Sequence, residues 1–263
     1  MTIDPVARRK SDLATRTLAS VGMIAVAAST LWLGGFAFWL LVALGTLFMM
    51  AEWADLHKVS REHKRLAQLA LVVPLAILSP LAAGASFLAL GLIVGAAFFV
   101  VITTRSPALA RGIVYCGLPA LAVVFLRERS DGLLLAFWAM ALVWACDIGA
   151  YFAGRSIGGP KLAPTISPNK TWAGLIGGVL AAAALGGVLQ YAGLPLHLAL
   201  ATPLLAALAQ AGDLYESQLK RAAGVKDSGN VLPGHGGVMD RLDGLVPVAP
   251  AAGLMVLAGL YWA

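Results

Sequence analysis

Long apolar stretches, such as residues 85–103 and 132–150, leave few folds open to this chain. Hydrophobic residues make up 60% of its 263 positions and charged residues only 12%, whereas a soluble domain carries about 25% charged residues. In hydrocarbon every backbone polar group needs an internal partner, so only helices and closed barrels span a bilayer. Barrel strands alternate apolar and polar residues, but these stretches are continuous. The sequence therefore predicts an all-α, polytopic integral membrane protein.

Nine transmembrane helices fit the apolar stretches, because each span needs roughly 20 residues. Residues 18–52 are too long for one span and fit two short ones that turn at Gly34-Gly35. The other predicted spans are 66–83, 85–103, 112–126, 132–150, 172–192, 196–212 and 244–262. The basic segment 1–17 resembles the front of a signal peptide but lacks a cleavage site, so the first span is expected to be a retained anchor. We interpret 1–263 as one membrane domain.

Positive charge orients this arrangement. With the N-terminus in the cytoplasm, the cytoplasmic segments hold 17 of the 19 Lys and Arg residues, and only Arg127 and Arg129 fall outside. Cytoplasmic loops are enriched in Lys and Arg, so loop 154–171 and segment 212–243 are both predicted to face the cytoplasm. The net charge of +6 is then a topology signal, and no basic groove with stacking aromatics predicts a nucleic-acid partner.

Segment 212–243, which we call the polar segment, concentrates the charge of an otherwise apolar chain. It carries five of the 13 acidic residues, namely Asp213, Glu216, Asp227, Asp240 and Asp243. If the preceding helix continues past 212, Asp213, Glu216, Ser217, Lys220 and Arg221 share one face. Asp240 and Asp243 are predicted to be neighbours on the first turn of the last helix. Acids from two helix ends could then converge, and oxygen ligands without a His/Cys cluster favour Mg²⁺.

The polar segment also supplies cations and a glycine-rich turn. Its basic residues are Lys220, Arg221, Lys226 and Arg241, and its glycines 234, 236 and 237 surround His235 and precede a predicted helix. Cations bind phosphates, and glycines at a helix start permit close backbone approach to an anion. These are the parts of a phosphoryl or nucleotidyl transfer site. The alternative is that juxtamembrane Lys and Arg only set topology or touch lipid headgroups, and that His235 is an ordinary loop histidine.

Two further features accompany the polar segment. In loop 154–171, Ser167 and Lys170 precede a span, so Lys170 could reach a phosphate; Trp172 and Pro168 are equally well explained as an interfacial aromatic and a turn residue. Asp147 is an acid inside an apolar span, which is costly and is by default a functional hypothesis. It could instead only hydrogen-bond the following loop.

The polar segment resembles the signature of the phosphatidate cytidylyltransferases, also called CDP-diacylglycerol synthases. The resemblance rests on Ser217-x-Leu219-Lys220-Arg221, on Lys226-Asp227, on Leu232-Pro233-Gly234-His235-Gly236-Gly237 and on Asp240-Arg241-x-Asp243. Residues 167–172, SPNKTW, are similar to the family's Ser-Pro-x-Lys-Thr motif. They depart from it in lacking a second Lys at 169 and an acid at 173, so these two positions receive no role.

The resemblance implies that CTP and phosphatidate react to give CDP-diacylglycerol and pyrophosphate with the help of Mg²⁺. It further implies an all-helical homodimer in the cytoplasmic (inner) membrane, surrounded by membrane lipids, with K⁺ as a possible second ion. By the family's pattern, the metal-binding acids are Asp213 and Asp240. The candidate catalytic residues are Asp213, Asp240, Lys226, Asp227, Lys220 and Arg241. The candidate substrate-binding residues are Ser217, Arg221, His235, Gly236, Gly237, Asp243, Ser167, Lys170 and Asp147.

Two other functions share parts of this pattern. A CTP-dependent kinase of a lipid alcohol, or a cytidylyltransferase for another lipid phosphate, would need the same acids for a metal and the same cations for phosphates, but would act on a different acceptor. A secondary transporter would place its acids near the bilayer midplane, but the charges here cluster at one predicted membrane face.

Overall fold

The computed structural model describes residues 21–232 and 236–262, which form a bundle of helices. The apolar helices are α1 (Val21–Leu33 in its described part), α2 (Gly35–Leu56), α3 (Arg61–Ile77), α4 (Phe87–Thr104), α5 (Pro107–Arg127), α6 (Gly132–Ser156), α7 (Trp172–Tyr191), α8 (Leu196–Ala223) and α10 (Leu245–Trp262). The one-turn helix α9 (Met239–Leu242) lies between α8 and α10. The predicted segment 1–17 falls outside the described residues.

Six helices of the described chain are long and apolar enough to cross a membrane: α2, α4, α5, α6, α7 and α8. These helices confirm the prediction that the protein is helical and has several membrane spans. Helices α1, α3 and α10 are shorter or less apolar, so the count of nine spans and the cytoplasmic N-terminus stay predictions. The break predicted at Gly34-Gly35 is present, and both glycines have positive φ.

Local sequence explains where the helices start. Four of them begin after a hydroxyl residue whose side chain accepts a hydrogen bond from the backbone N–H three residues on: Ser60, Ser86, Ser106 and Thr171. This N-cap satisfies one of the donors that a helix leaves unpaired at its first turn. Thr171 therefore fixes the point at which loop 154–171 becomes α7.

Loop 154–171 is more ordered than predicted. Helix α6 continues to Ser156, and the remainder forms an antiparallel hairpin of β1 (Lys161–Ala163) and β2 (Ser167–Thr171). The all-α prediction is confirmed apart from this two-stranded sheet, which was not predicted. The strands matter for the site because β2 fixes the direction of Lys170.

Small residues let α6 and α7 pack at very short distance. A Cβ placed on Gly177 would lie 2.2 Å from Ala153 Cβ and 3.1 Å from Gly149 O, and one on Gly178 would lie 2.7 Å from Cys146 O. Close approach through small side chains is how helices associate where lipid removes the hydrophobic driving force. The contact holds α6, and with it Asp147, against the hairpin end of α7.

We predict that Gly177→Val destabilises the protein, because its side chain must push α7 away from α6. Overpacking costs about 1–3 kcal/mol, which in a chain of this size lowers the melting temperature by about 2–10 °C. Thermal unfolding in detergent measures the change. Gly187→Val on the same helix is the matched control, since a Cβ at Gly187 meets nothing within 4 Å. Equal melting temperatures for the two variants would contradict the packing.

Candidate functional site

The C-terminal part of helix α8 carries most of its charged residues. It continues past residue 212 to Ala223, which confirms the predicted shared face. Ser217 Oγ donates to Asp213 Oδ1 at 3.3 Å, and Glu216, one turn from Asp213, is completely buried. Lys220 Nζ lies 2.6 Å from Glu216 Oε2 and 2.6 Å from Asp240 Oδ1. A single ammonium group therefore joins α8 to α9.

Asp240 is surrounded by donors. Its Oδ1 accepts from Lys220, while its Oδ2 accepts from the N–H groups of Ser228 at 2.9 Å and Gly237 at 2.8 Å. Burial alone would raise the pKa of Asp240, but the hydrogen bonds from Lys220, Gly237 and Ser228 outweigh it and hold that pKa below its ordinary value. The carboxylate is therefore ionised near neutral pH and organises the loop around it.

Glu52 is an acid that the sequence analysis missed. It lies near the end of α2, is 3% exposed, and accepts hydrogen bonds from the N–H groups of Val238 and Met239, both at 2.8 Å. Ser228 Oγ also donates to it at 2.9 Å. A Cβ on Gly237 would lie 2.5 Å from Glu52 Oε2, so only glycine fits there. Glu52 thus anchors the polar segment to a helix far away in sequence.

A second group of polar residues joins β2, α6 and α8. Lys170 Nζ lies 2.5 Å from Asp213 Oδ2 and donates to Gln210 Oε1 at 3.2 Å. Gln210 in turn donates through Nε2 to Asp147 Oδ1 at 3.2 Å. These residues and Arg155 line a cavity of about 690 Å³. Loop 154–171 and the polar segment, which were predicted separately, therefore meet in one site.

The middle of α8 touches the residue that caps α9 because residue 212 is a glycine. A Cβ on Gly212 would lie only 2.5 Å from Asp243 O. Burial, reinforced by the charges of Asp213 and Asp147, raises the pKa of Asp243 to about 7, although the Gly244 N–H donates to its Oδ1 at 2.7 Å.

The prediction that Asp240 and Asp243 lie on the first turn of the last helix is wrong. Asp240 lies in α9, Asp243 caps the end of α9, and the last helix, α10, begins only at Leu245.

The remaining predicted site residues lie around this centre. Four are exposed: Arg221, Lys226, Asp227 and Arg241. Gly236 has a φ of +82° in the turn before α9, and Ser167 pairs with Ala163 in the hairpin. His235 is outside the described residues. The structure thus brings Asp147, Lys170 and Asp213 together around Gln210. It brings Lys220 and Asp240 together beside Glu216 and leaves Arg221, Lys226 and Arg241 at the surface.

A metal ion at this site would be held by only one or two carboxylates of the protein. Within residues 21–232 and 236–262, no group of three or more His, Cys, Asp or Glu residues has the geometry of a metal site. Mg²⁺ typically takes one or two carboxylates and completes its shell with water and substrate phosphates. Among the described residues, Oδ1 of Asp213 accepts one bond of 3.3 Å from Ser217, whereas Oδ1 of Asp240 is held by Lys220 at 2.6 Å.

A sequence signal existed for Glu52 and Gln210, two of the site residues that were not predicted. Glu52 ends an otherwise apolar stretch, and Gln210 is a lone amide in the apolar stretch that precedes the polar segment. Polar groups in such positions are costly unless they are paired. The signal marks them as important but does not reveal their partners.

Comparison with known proteins identifies similar chains. The model of the cytidylyltransferase family matches residues 14–258. A phosphatidate cytidylyltransferase of Brucella suis biovar 1 is 41% identical over 264 aligned residues, which cover 96% of this chain and 95% of the relative. The phosphatidate cytidylyltransferase of Bacillus subtilis is 50% identical over 123 residues, 45% of this chain and 46% of the relative.

We predict that Glu52→Ala loosens the start of α9, because the Val238 and Met239 N–H groups lose their acceptor. Leaving a buried donor unpaired costs about 1–3 kcal/mol. Amide hydrogen exchange at these two positions should therefore accelerate by about tenfold or more. Glu62→Ala, at an exposed glutamate of α3, is the matched control. Unchanged exchange in Glu52→Ala would contradict the anchoring role.

We also predict that the stability of the metal-free protein falls as the pH rises from 5 to 8. The folded pKa of Asp243, about 7, lies above the unfolded value of about 3.9. Its contribution is therefore full at low pH and is lost as the pH passes through the folded pKa, at a cost of roughly 2–4 kcal/mol. In Asp243→Asn this contribution should be absent, so the decline in melting temperature across the range should be smaller than in the wild type. A parallel decline in variant and wild type would show that another group is responsible.

Proposed function

The chain belongs to the cytidylyltransferase family, and we propose that it converts CTP and phosphatidate into CDP-diacylglycerol and pyrophosphate. The relatives that match almost its whole length carry the name of this reaction. The structural observation that supports it best is the 690 Å³ cavity, where Lys170 and Asp213 face each other. One is a cation for phosphates and the other a carboxylate for a metal, next to helices that reach into the membrane.

The reaction needs alignment and charge compensation more than a strong base. A phosphate monoester has a second pKa of about 6, so phosphatidate is largely dianionic near neutral pH. One of its oxygens attacks the α-phosphorus of CTP and forms the new P–O bond. The bond from the α-phosphorus to the bridging oxygen breaks, and pyrophosphate leaves with that electron pair. The main barrier is the approach of two polyanions, which fixed cations lower.

Lys170 and Arg155 are the cations that line the cavity. We propose that both bind CTP phosphates, and that Lys170 exchanges its contact with Asp213 for one with the nucleotide. Lys220 holds Asp240 and Glu216 in place and is available to the leaving pyrophosphate. Ammonium and guanidinium groups make the strong, charge-assisted hydrogen bonds that phosphate oxygens favour.

The exposed residues of the polar segment have supporting roles in this proposal. Arg221, Lys226 and Arg241 attract the nucleotide to the mouth of the site, because clustered charge raises the rate of encounter with an opposite charge. Ser217, His235 and Ser167 are proposed to hydrogen-bond phosphate or cytidine. Asp227, which lies beside Gly236, and the glycines 236 and 237 shape the turn that the nucleotide approaches.

Mg²⁺ is the proposed cofactor, with a monovalent ion such as K⁺ as a possible second ion. Carboxylates fit a hard cation, and Asp213 and Asp240 are the residues proposed to hold it. When bound, the ion would neutralise charge on the phosphates. Asp147 and Asp243 add negative potential around Asp213, which favours a divalent cation at this position.

We further propose that the protein works as a homodimer in the cytoplasmic membrane with the cavity open to the cytoplasm. The distribution of Lys and Arg over the sequence supports this orientation. It lets a soluble nucleotide and a membrane lipid meet, because the lipid keeps its acyl chains in the bilayer while its phosphate reaches the polar end of the bundle.

The reaction is tested with purified protein, CTP, Mg²⁺ and phosphatidate in mixed micelles. Pyrophosphate and a CDP-lipid should appear only when all four are present. Diacylglycerol in place of phosphatidate is the control acceptor. Release of CDP together with a phosphorylated alcohol would instead identify a CTP-dependent lipid kinase.

We predict that Asp213→Asn reduces kcat by about 100-fold or more, since it removes a carboxylate proposed to hold the metal. The variant should remain folded and keep a melting temperature near that of the wild type. Asp131→Asn, at an exposed acid before α6, is the matched control and should retain full activity. A wild-type rate in Asp213→Asn would refute the metal assignment and leave the reaction itself standing.

A further inference from the structure

A second cavity opens on the side of the bundle, between α4, α5 and α8. It has a volume of about 590 Å³. Its walls are mostly aliphatic and aromatic side chains, among them Val94, Phe98 and Val101 of α4 and Val114 of α5. Phe98 is 63% exposed on the outer surface of the bundle. We call this cavity the apolar groove.

The inner end of the apolar groove reaches the candidate active site. Tyr215, two residues after Asp213 on α8, and Tyr115 of α5 both line it, and their rings lie 5.9 Å apart. Tyr115 also packs on Trp53, the residue that follows Glu52, with the two ring centroids 4.6 Å apart. The groove therefore leads from the hydrocarbon-facing surface to the acidic centre.

Two polar groups of the groove have no partner in the described part of the chain. The Tyr115 hydroxyl is buried and makes no hydrogen bond, although buried hydroxyl groups are normally paired. Arg111, one helical turn earlier, also lines the groove, and no ion pair is found for it among the described residues. Residues four apart on a helix lie on the same face, so one anionic group can contact both.

We propose that the apolar groove binds the lipid substrate, with an acyl chain along α4 and the phosphate between Arg111 and Tyr115. This inference rests on the proposed function, which requires a lipid that carries a phosphate. The occupant follows from charge and shape, because Arg111 suits a phosphate dianion and the remaining wall suits hydrocarbon. The Tyr115 hydroxyl donates to the head of the lipid and gains the partner that it lacks.

Steady-state kinetics test the groove. Val101→Trp fills it and should raise the KM for dioleoyl phosphatidate at least tenfold while leaving the KM for CTP unchanged. With dihexanoyl phosphatidate, whose chains are short, the increase should be much smaller. Ile102→Trp, at the next position on α4 and 74% exposed, is the matched control and should behave as wild type.

Arg111→Gln and Tyr115→Phe test the head contact separately. Both should raise the KM for long- and short-chain phosphatidate alike, Arg111→Gln by at least tenfold because a charge-assisted contact is lost. Unchanged KM values for phosphatidate in Val101→Trp, Arg111→Gln and Tyr115→Phe would overturn the inference while the wild-type reaction stands. A Val101→Trp variant that changes only its oligomeric mass in light scattering would likewise overturn it and make the groove a subunit contact.

Photolabelling provides a readout that does not depend on turnover. A diazirine-bearing phosphatidate should label α4 and α5 at the groove, and unlabelled phosphatidate should compete where phosphatidylcholine does not. Val101→Trp should abolish this labelling. Even labelling of all outward-facing helices would indicate bulk lipid and overturn the inference. Specific labelling without any nucleotidyl transfer would instead count against the proposed function and leave the lipid site intact.

Discussion

The ammonium group of Lys220 is the contact on which the rest of the site depends. It lies 2.6 Å from a carboxylate oxygen of Glu216 on α8 and 2.6 Å from one of Asp240 on α9. Glu216 is fully buried, and a buried polar group without a partner is costly. Lys220 contacts both acids at once, so it fixes the position of α9 relative to α8. The amide donors on the other oxygen of Asp240, and Glu52 behind them, complete this connection.

If each cavity holds the substrate proposed for it, one helix serves two dissimilar substrates. The polar cavity contains Asp213 and Lys170, and the apolar groove contains Tyr215, two residues further along the same helix. In the proposed arrangement, a soluble nucleotide and a membrane lipid approach α8 from different sides. Small side chains make this geometry possible, since Gly212 allows α8 to contact the backbone of Asp243.

The sequence predicts the apolar helices and the concentration of charged residues in the polar segment, because both features depend on local composition. It also predicts that the charged residues 213–221 share one face if α8 continues past residue 212, which it does. It does not predict the partners of Asp240 or Glu52. The bonds from Glu52 to Val238 and Met239 join residues 186 and 187 positions apart, and their donors are backbone groups that carry no side-chain signal. The β1–β2 hairpin was missed for a related reason, since a Gly- and Pro-rich composition is typical of any loop.

The most direct test of this account is a double-mutant cycle on Lys220 and Asp240, measured as the stability of the metal-free protein in detergent. Lys220→Met and Asp240→Asn should each destabilise the protein, and the double variant should lose much less than the sum. Groups in one buried network usually show a coupling energy of about 0.5–3 kcal/mol, and we expect the upper half of that range. Additive effects of the two substitutions would show that Lys220 does not join α8 to α9, and the account of the site would fail.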